Sequence, residues 1–257
     1  MKEEKLSQKT RLLPVIVLIL IVALWALLSL LNIFPESAFP TPQAVVRGFG
    51  EEIRAGRLFD DLIASVFRVS IGFLIAVALG IPLGLILGQR ARGRRALLPT
   101  INFFRNLSPL AWIPFAILWF GIGDRPAIFL IFMASFFPIV LATIAAVASI
   151  PTVYFRVAEN YGYRGAELLT QVTLPAIAPQ VITALRITAG LAWVVVVAAE
   201  MIAGQDGLGY AVWDSRNGLR VDLLVVNMIV IGFIGVVIDR LLLLLTKLPN
   251  IRWGYER

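Results

Sequence analysis

The chain has 257 residues, 59% of them hydrophobic and 15% charged, with a formal charge of +7. A soluble domain carries about a quarter charged residues, so this is the composition of an integral membrane protein. Cysteine and histidine are absent, which removes disulfides, thiol chemistry and the commonest general base and metal ligand.

The polar, basic arm 1–11 precedes an apolar run from Leu12 to Leu31, about the 20 residues that a bilayer-spanning helix needs. It is too long for a signal-peptide core, and no small-x-small cleavage site follows it, so it is expected to stay as the first span. Residues 32–61 are polar and turn-rich, with an amphipathic helix predicted over Gln43–Ala55 and Thr41-Pro42 as its start signal. The second span covers about Leu62–Gly88. Its Gly80, Gly84 and Gly88 fall four apart on one face, a small-residue stripe that lets another helix come close. Arg90, Arg92, Arg94 and Arg95 follow directly.

A third span, about Leu97–Phe120, holds Pro99, Pro109 and Pro114, and is expected to be kinked or partly unwound. Such breaks survive only where the freed backbone faces protein or a wet cavity. The fourth, fifth and sixth spans cover about Ala127–Ser149, Ile177–Ala203 and Leu223–Leu245. Between the fourth and fifth lies IPTVYFRVAENYGYRGAELLTQVTLP (Ile150–Pro175), the one long connecting segment that reads as folded. Pro151 can open a first short helix, Gly162 interrupts it, and a second (Gly165–Val172) is expected to stop at Pro175. Two short helices across the direction of the spans would offer a knob to a partner protein; an ordinary surface loop is the plainer alternative.

Lys and Arg fix an expected orientation. With the N-terminus inside, the inner segments carry 13 of the 23 and the outer ones 6, the remaining four lying within spans. This excess predicts that both termini and the Ile150–Pro175 segment are cytoplasmic. The basic charge is therefore a topology signal, with anionic lipid as a secondary contact, and not the footprint of a nucleic-acid partner. The resulting expectation is an all-α polytopic membrane protein with six transmembrane helices. It forms one domain: an N-terminal portion (1–61), a five-helix core (62–245) and a cytoplasmic tail (246–257).

Ionisable groups inside spans are costly and usually face a bundle interior or a wet path. Arg105 and Arg186 both fall roughly 12–15 Å into their spans from the inner end. Arg105, Ser108 and Trp112 share one helical face, as do Arg186, Trp193 and Glu200. Guanidinium, hydroxyl and indole N–H are donors, and donors suit an anion. Structural roles stand beside that reading: an arginine reaching for the inner surface or capping a broken helix, and tryptophans that simply pack. Glu200 could pair with a donor on a neighbouring helix or line an outer gate. Arg68 can reach the outer surface from its position early in span two, and Asp239 and Arg240 the inner one. Gly204, Gly207 and Gly209 compose a turn. The chain contains no G-x-x-x-x-G-K-[ST] phosphate loop and no nucleophile, base or metal-ligand constellation. A transport subunit energised by another chain fits this inventory better than an enzyme or a passive scaffold.

The central segment resembles the coupling motif of type I ATP-binding-cassette (ABC) importer permeases, E-A-A-x3-G-x9-I-x-L-P. Here it reads Arg156-Val157-Ala158, three residues, Gly162, nine residues, then Val172-Thr173-Leu174-Pro175; the spacing from Gly to Leu-Pro matches, while the leading Glu and first Ala do not. SPLAWIPFAILWFGIG (Ser108–Gly123), VVAAEMIAG (Val196–Gly204) and GLGYAVWDSRN (Gly207–Asn217) are similar to the branch for nitrate, bicarbonate, taurine and alkanesulfonates. The resemblance covers about Leu62–Arg240 and implies the type I permease fold. It also implies two permease copies forming a pathway, two cytoplasmic ATPase subunits and an external solute-binding protein. No cofactor belongs to this chain; ATP and Mg would bind the ATPases. Ala158, Glu159, Tyr161, Gly162, Tyr163, Arg164, Gly165 and Glu167 would meet the ATPase. Gly204, Gly207, Gly209 and Tyr210 would lie at an outer gate, and Arg105, Ser108, Trp112, Arg186, Trp193 and Glu200 along the substrate path. The cargo so implied is a small oxyanion, nitrate, nitrite or bicarbonate ahead of sulfonates, with a heterocyclic vitamin precursor as the alternative.

Overall fold

The computed structural model describes residues 8–31, 33, 35 and 37–246. The start of the basic arm and the tail beyond Thr246 lie outside the described residues. Among the described residues every regular element is helical, in the order α1 (Gln8–Leu30), α2 (Pro42–Ala55), α3 (Arg57–Gln89), α4 (Ala91–Asn106), α5 (Ile113–Phe120), α6 (Asp124–Ala148), α7 (Thr152–Asn160), α8 (Ala166–Leu168), α9 (Leu174–Ala203), α10 (Leu208–Asn217) and α11 (Val221–Leu245). Five of these segments are long and apolar enough to cross a membrane: α1, α3, α6, the run Ala166–Ala203 and α11. The stretch expected as the third of six spans is not among them: it is broken into α4 and α5, joined through a 3-10 turn at Pro109–Trp112, and its apolar part, Pro109–Phe120, is shorter than a span.

Packing is organised by one spine of small residues. Gly72, Ala76, Gly80, Gly84 and Gly88 recur every four residues along α3 and lie against Ile131, Ile139, Thr143 and Val147 of α6. A Cβ at Gly84 would come 2.5 Å from the Thr143 Cβ, and one at Gly88 would come 2.7 Å from the Val147 Cβ. The two helices thus touch nearly backbone to backbone, which supplies dispersion contact where lipid removes the hydrophobic drive for helices to associate. At one end of α3 a core of Leu58, Val69, Ile131, Trp193, Val196, Leu208 and Val230 joins α3, α6, α9, α10 and α11. Most large apolar side chains of α1 stand exposed, as expected of a lipid-facing span.

The amphipathic helix predicted over Gln43–Ala55 is α2. Thr41 caps it by accepting the Ala44 N–H at 3.1 Å, and Pro42 opens its first turn. Arg220 anchors α2 to α11 through Glu51 (2.7 Å) and Asp222 (2.8 Å). The prolines interrupt the expected third span at Pro109 and Pro114, whereas Pro99 sits inside an unbroken α4. The expected stop at Pro175 does not occur. From Ala166 the chain runs through a π turn (Leu169–Thr173) straight into α9. The wider turn accommodates the N–H that proline lacks and the room its ring requires, so one long helix replaces a short helix and a span.

The spine gives a direct prediction. Gly84→Leu forces a side chain into Thr143 and the Val140 carbonyl, and is expected to cost at least about 1–3 kcal/mol. Thermal unfolding of the purified chain in detergent should show a lowered midpoint, or the variant should fail to accumulate. Gly190→Ala, whose Cβ meets nothing within 4 Å, should leave the midpoint unchanged or slightly raised.

Candidate functional site

At the end of the bundle where α3, α6 and α11 begin and α9 finishes, polar side chains converge in a place that hydrophobic patterning alone would fill with leucine. Asp61, Ser65 and Arg68 occupy one face of α3 at spacings of four and three, directly before Gly72 begins the spine. Arg68 is 2% exposed. Its Nε donates to Asp124 Oδ1 at 2.7 Å, at the first residue of α6. Its Nη1 donates to Glu200 Oε1 at 2.8 Å on α9 and to the Asp206 carbonyl at 2.9 Å, while Nη2 donates to the Asp206 carboxylate. One guanidinium therefore holds two other helices and the loop between α9 and α10.

The acids in turn hold the start of α10. The Gly207 N–H donates to Asp61 Oδ1 (2.7 Å), the Leu208 N–H to Ser65 Oγ (2.9 Å) and the Gly209 N–H to Glu200 Oε2 (2.9 Å). Ser65 Oγ also donates to Glu200 Oε2 at 2.8 Å. The first amides of a helix have no acceptor of their own and carry partial positive charge, so a buried carboxylate satisfies them and is stabilised by them. Glu200 is fully buried with both oxygens engaged. The glycines of GQDGLGY follow from this closeness. A Cβ at Gly204 would approach the Glu200 carbonyl to 2.6 Å, and one at Gly207 would approach the Glu200 carboxyl carbon to 2.5 Å; Gly209 lies against the Val197 carbonyl. Gly207 also has φ +101°, which side chains rarely adopt. Tyr210 follows on the first turn of α10.

The other predicted residues are distributed differently. Arg186 on α9 forms a two-point ion pair with Asp239 on α11, at 2.5 and 2.8 Å. The Trp193 indole donates to the Ile231 carbonyl at 3.0 Å and is buried between α9 and α11. Helical phase in the expected third span ends at Asn106, so Arg105 is exposed on the last turn of α4 and Ser108 is exposed in the break. Trp112 packs in an aromatic cluster with Phe115, Trp119 and Phe129, at centroid distances of 6.0–6.3 Å. Its indole N–H is buried and has no partner among the described residues.

At the opposite end of the bundle, α7 runs from Thr152 to Asn160 and the chain then turns at Gly162 (φ +84°) and Gly165 (φ +53°). No atom crowds either glycine, so their backbone angles, not close packing, call for glycine. Tyr161 is 80% exposed, and Glu159, Gly162, Arg164 and Gly165 are exposed beside it. Ala158 is buried at the base of the knob. A cleft of about 710 Å³ separates α7 from the start of α9, lined by Tyr154, Val157, Tyr163, Gln171 and Gln180. Sequence reading singled out Glu200 and Arg186, but not Asp61, Ser65, Asp124 or Asp206. The i, i+4, i+7 spacing of Asp61, Ser65 and Arg68 was the available signal.

Comparison with known proteins agrees with this architecture. Residues 80–249 match the family described as the binding-protein-dependent transport system inner membrane component. A protein of Methanocaldococcus jannaschii named as an ABC transporter permease is 37% identical over 241 residues, covering 92% of this chain and 90% of that one. The taurine transport system permease of Escherichia coli K12 is 32% identical over 231 residues (86% and 82%). The bicarbonate transport system permease of Synechococcus elongatus is 37% identical over 184 residues (71% and 66%). In fold, the chain is similar to the methionine ABC transporter MetNI in an inward-facing conformation, with a TM-score of 0.56, 21% identity, and coverage of 74% of this chain and 98% of that one.

The buried ion cluster yields a testable expectation. Arg68→Met strands the Glu200 carboxylate in the bundle and should cost about 3–5 kcal/mol, whereas Arg68→Met combined with Glu200→Leu should be markedly less harmful than the sum of the single changes. Thermal unfolding in detergent checks this; simple additivity would contradict it. Asp124→Asn, at a side chain 54% exposed, should shift the midpoint little. With the family match spanning most of the sequence, the chain belongs to the binding-protein-dependent transport inner membrane components, the multi-pass permease subunits of ABC importers.

Proposed function

We propose that this permease carries a small oxyanion into the cytoplasm, with nitrate, nitrite or bicarbonate ahead of the sulfonates. The observation that carries this reading is the pair of relatives named for taurine and bicarbonate, each spanning most of this chain, the bicarbonate permease at the higher identity. Arg105 is compatible with it: an exposed guanidinium on the last turn before a helix break can donate to an anion. Two copies of the chain would place two such arginines along one pathway. ATP and Mg would be bound by two ATPase subunits seated on the knob from Ala158 to Glu167. A solute-binding protein would deliver cargo at the opposite end, near the loop from Gly204 to Tyr210. The end bearing the knob would be cytoplasmic, the orientation that the Lys and Arg excess favours, with anionic lipid at its rim.

Gly162→Leu places a β-carbon where φ is +84° and reshapes the knob without touching the bundle. Expressed with its cognate ATPase and binding protein, this variant should reach the membrane in normal amount while losing most substrate-stimulated ATP hydrolysis. Undiminished hydrolysis would place the ATPase contact elsewhere. Calorimetry of the cognate binding protein against nitrate, bicarbonate, taurine and a thiamine pyrimidine should show tight binding to one of the anions; binding to the pyrimidine alone would overturn the oxyanion assignment.

A further inference from the structure

The joint between the knob and α9 carries one residue more than an α-helix needs. From Leu169 to Thr173 the helix is widened into a π turn, and the Leu174 N–H donates to the Leu169 carbonyl, five residues back instead of four. A buried hydroxyl braces the widened turn. Thr173 is fully buried, and its Oγ1 donates to the Leu168 carbonyl, also five residues back, at 3.2 Å. Single π turns inside helices are uncommon and concentrate at functional sites. Pro175, without an N–H, tolerates the widening, but a kink or a stop would satisfy a proline equally well.

What the extra residue supplies is phase. Leu169 packs against the core formed by Leu85, Val147, Ile150, Ile177 and Val181. At about 100° per residue, an uninterrupted α-helix would set Leu169 about 80° around the axis from Ile177 and about 120° from Val181. With one residue absorbed by the π turn, both offsets fall to about 20°. All three side chains then reach the same core. Phe155 of α7 packs against that core as well. The knob is therefore gripped on both arms, by Phe155 before its glycines and by Leu169 after them. Both grips are contacts inside the chain, independent of whatever surrounds the bundle.

We propose that the π turn sets the rotational position of the knob relative to α9, that Thr173 is its positioning residue, and that coupling to the ATPase requires that phase. Without the extra residue, either Leu169 leaves the core or the knob swings about 100° around the axis of α9. In both cases a push delivered at Gly162 is no longer passed in line to the long helix. This inference rests on the knob being the seat of the ATPase, but not on which solute the permease moves.

The test uses the full chain assembled with its ATPase and binding protein in proteoliposomes. Hydrolysis of ATP is measured with and without a mixture of nitrate, bicarbonate, taurine and a thiamine pyrimidine. Deleting Gln171 together with Pro175→Ala lets the shortened turn close as α-helix, and should abolish most of the stimulation. Gln171→Ala and Pro175→Ala, each at full length, should retain it. Thr173→Val should reduce the stimulation about fivefold, the worth of one hydrogen bond, and Thr173→Ser, which keeps the hydroxyl, should restore it. Where the deletion fails to accumulate in the membrane, the contrast between valine and serine at position 173 decides. Full stimulation in the deletion variant would overturn the proposal, as would equal stimulation in Thr173→Val and Thr173→Ser. Loss in Pro175→Ala alone would also overturn it, by assigning the effect to the proline. Gly162→Leu, run alongside, separates the two readings: if it is uncoupled and the deletion is not, the phase inference alone fails; if neither is uncoupled, the knob itself is not the ATPase contact.

Discussion

A guanidinium sealed inside a helix bundle must be matched on every side, and the architecture at one end of this permease follows from meeting that demand for Arg68. Neutral surroundings would leave its charge uncompensated at a cost of several kcal/mol. The match comes from three elements far apart in sequence: Asp124 where α6 begins, Glu200 where α9 ends, and Asp206 in the loop beyond. To bring Asp206 and the start of α10 back over α3 the chain must turn within a few residues, and Gly204, Gly207 and Gly209 allow it. The excess negative charge is then spread onto the amides of Gly207, Leu208 and Gly209, so that helix start and carboxylates stabilise each other. The motif that looks like a loose glycine loop is a tightly bound strap.

The opposite end is built on another principle. The α3–α6 spine fixes the two helices along their length through Gly88 and Val147, yet beyond it the chain emerges into α7, two glycines with positive φ and a π turn. The glycines there are uncrowded, and most of the side chains they separate are exposed. Rigid helices strapped together at one end, and a small projecting knob at the other, suit a subunit whose work is supplied by a partner. A push on the knob can be carried through the continuous helix Ala166–Ala203 without being absorbed inside the core.

Much of this was legible beforehand, for physical reasons. Long apolar runs have few alternatives to crossing a membrane, so α1, α3, α6, α9 and α11 emerged with ends misjudged by a few residues. Thr41-Pro42 and the Gly80–Gly84–Gly88 stripe carried their meaning locally. Less legible were features set by pairing across the fold. Arg68 looked close enough to a helix end to reach solvent, and only the folding back of residues 204–210 encloses it. Asp239 was assigned to the inner surface by depth alone, because nothing local reveals that Arg186 stands opposite it. Pro175 looked like a stop, and the π turn that carries the helix past it leaves no signal in the sequence. Arg105, Ser108 and Trp112 shared a face only as long as the helix was taken to be continuous.

Amide hydrogen exchange on the membrane-embedded permease, with and without its ATPase, tests most directly the contrast between a strapped end and a worked end. The amides of Gly207, Leu208 and Gly209 should be among the slowest to exchange in either case, since each is buried against Asp61, Ser65 or Glu200. Amides from Asn160 to Ala166 should exchange rapidly in the isolated permease and become protected when the ATPase binds. Rapid exchange at residues 207–209, or no protection of residues 160–166 by the ATPase, would contradict that division of the molecule.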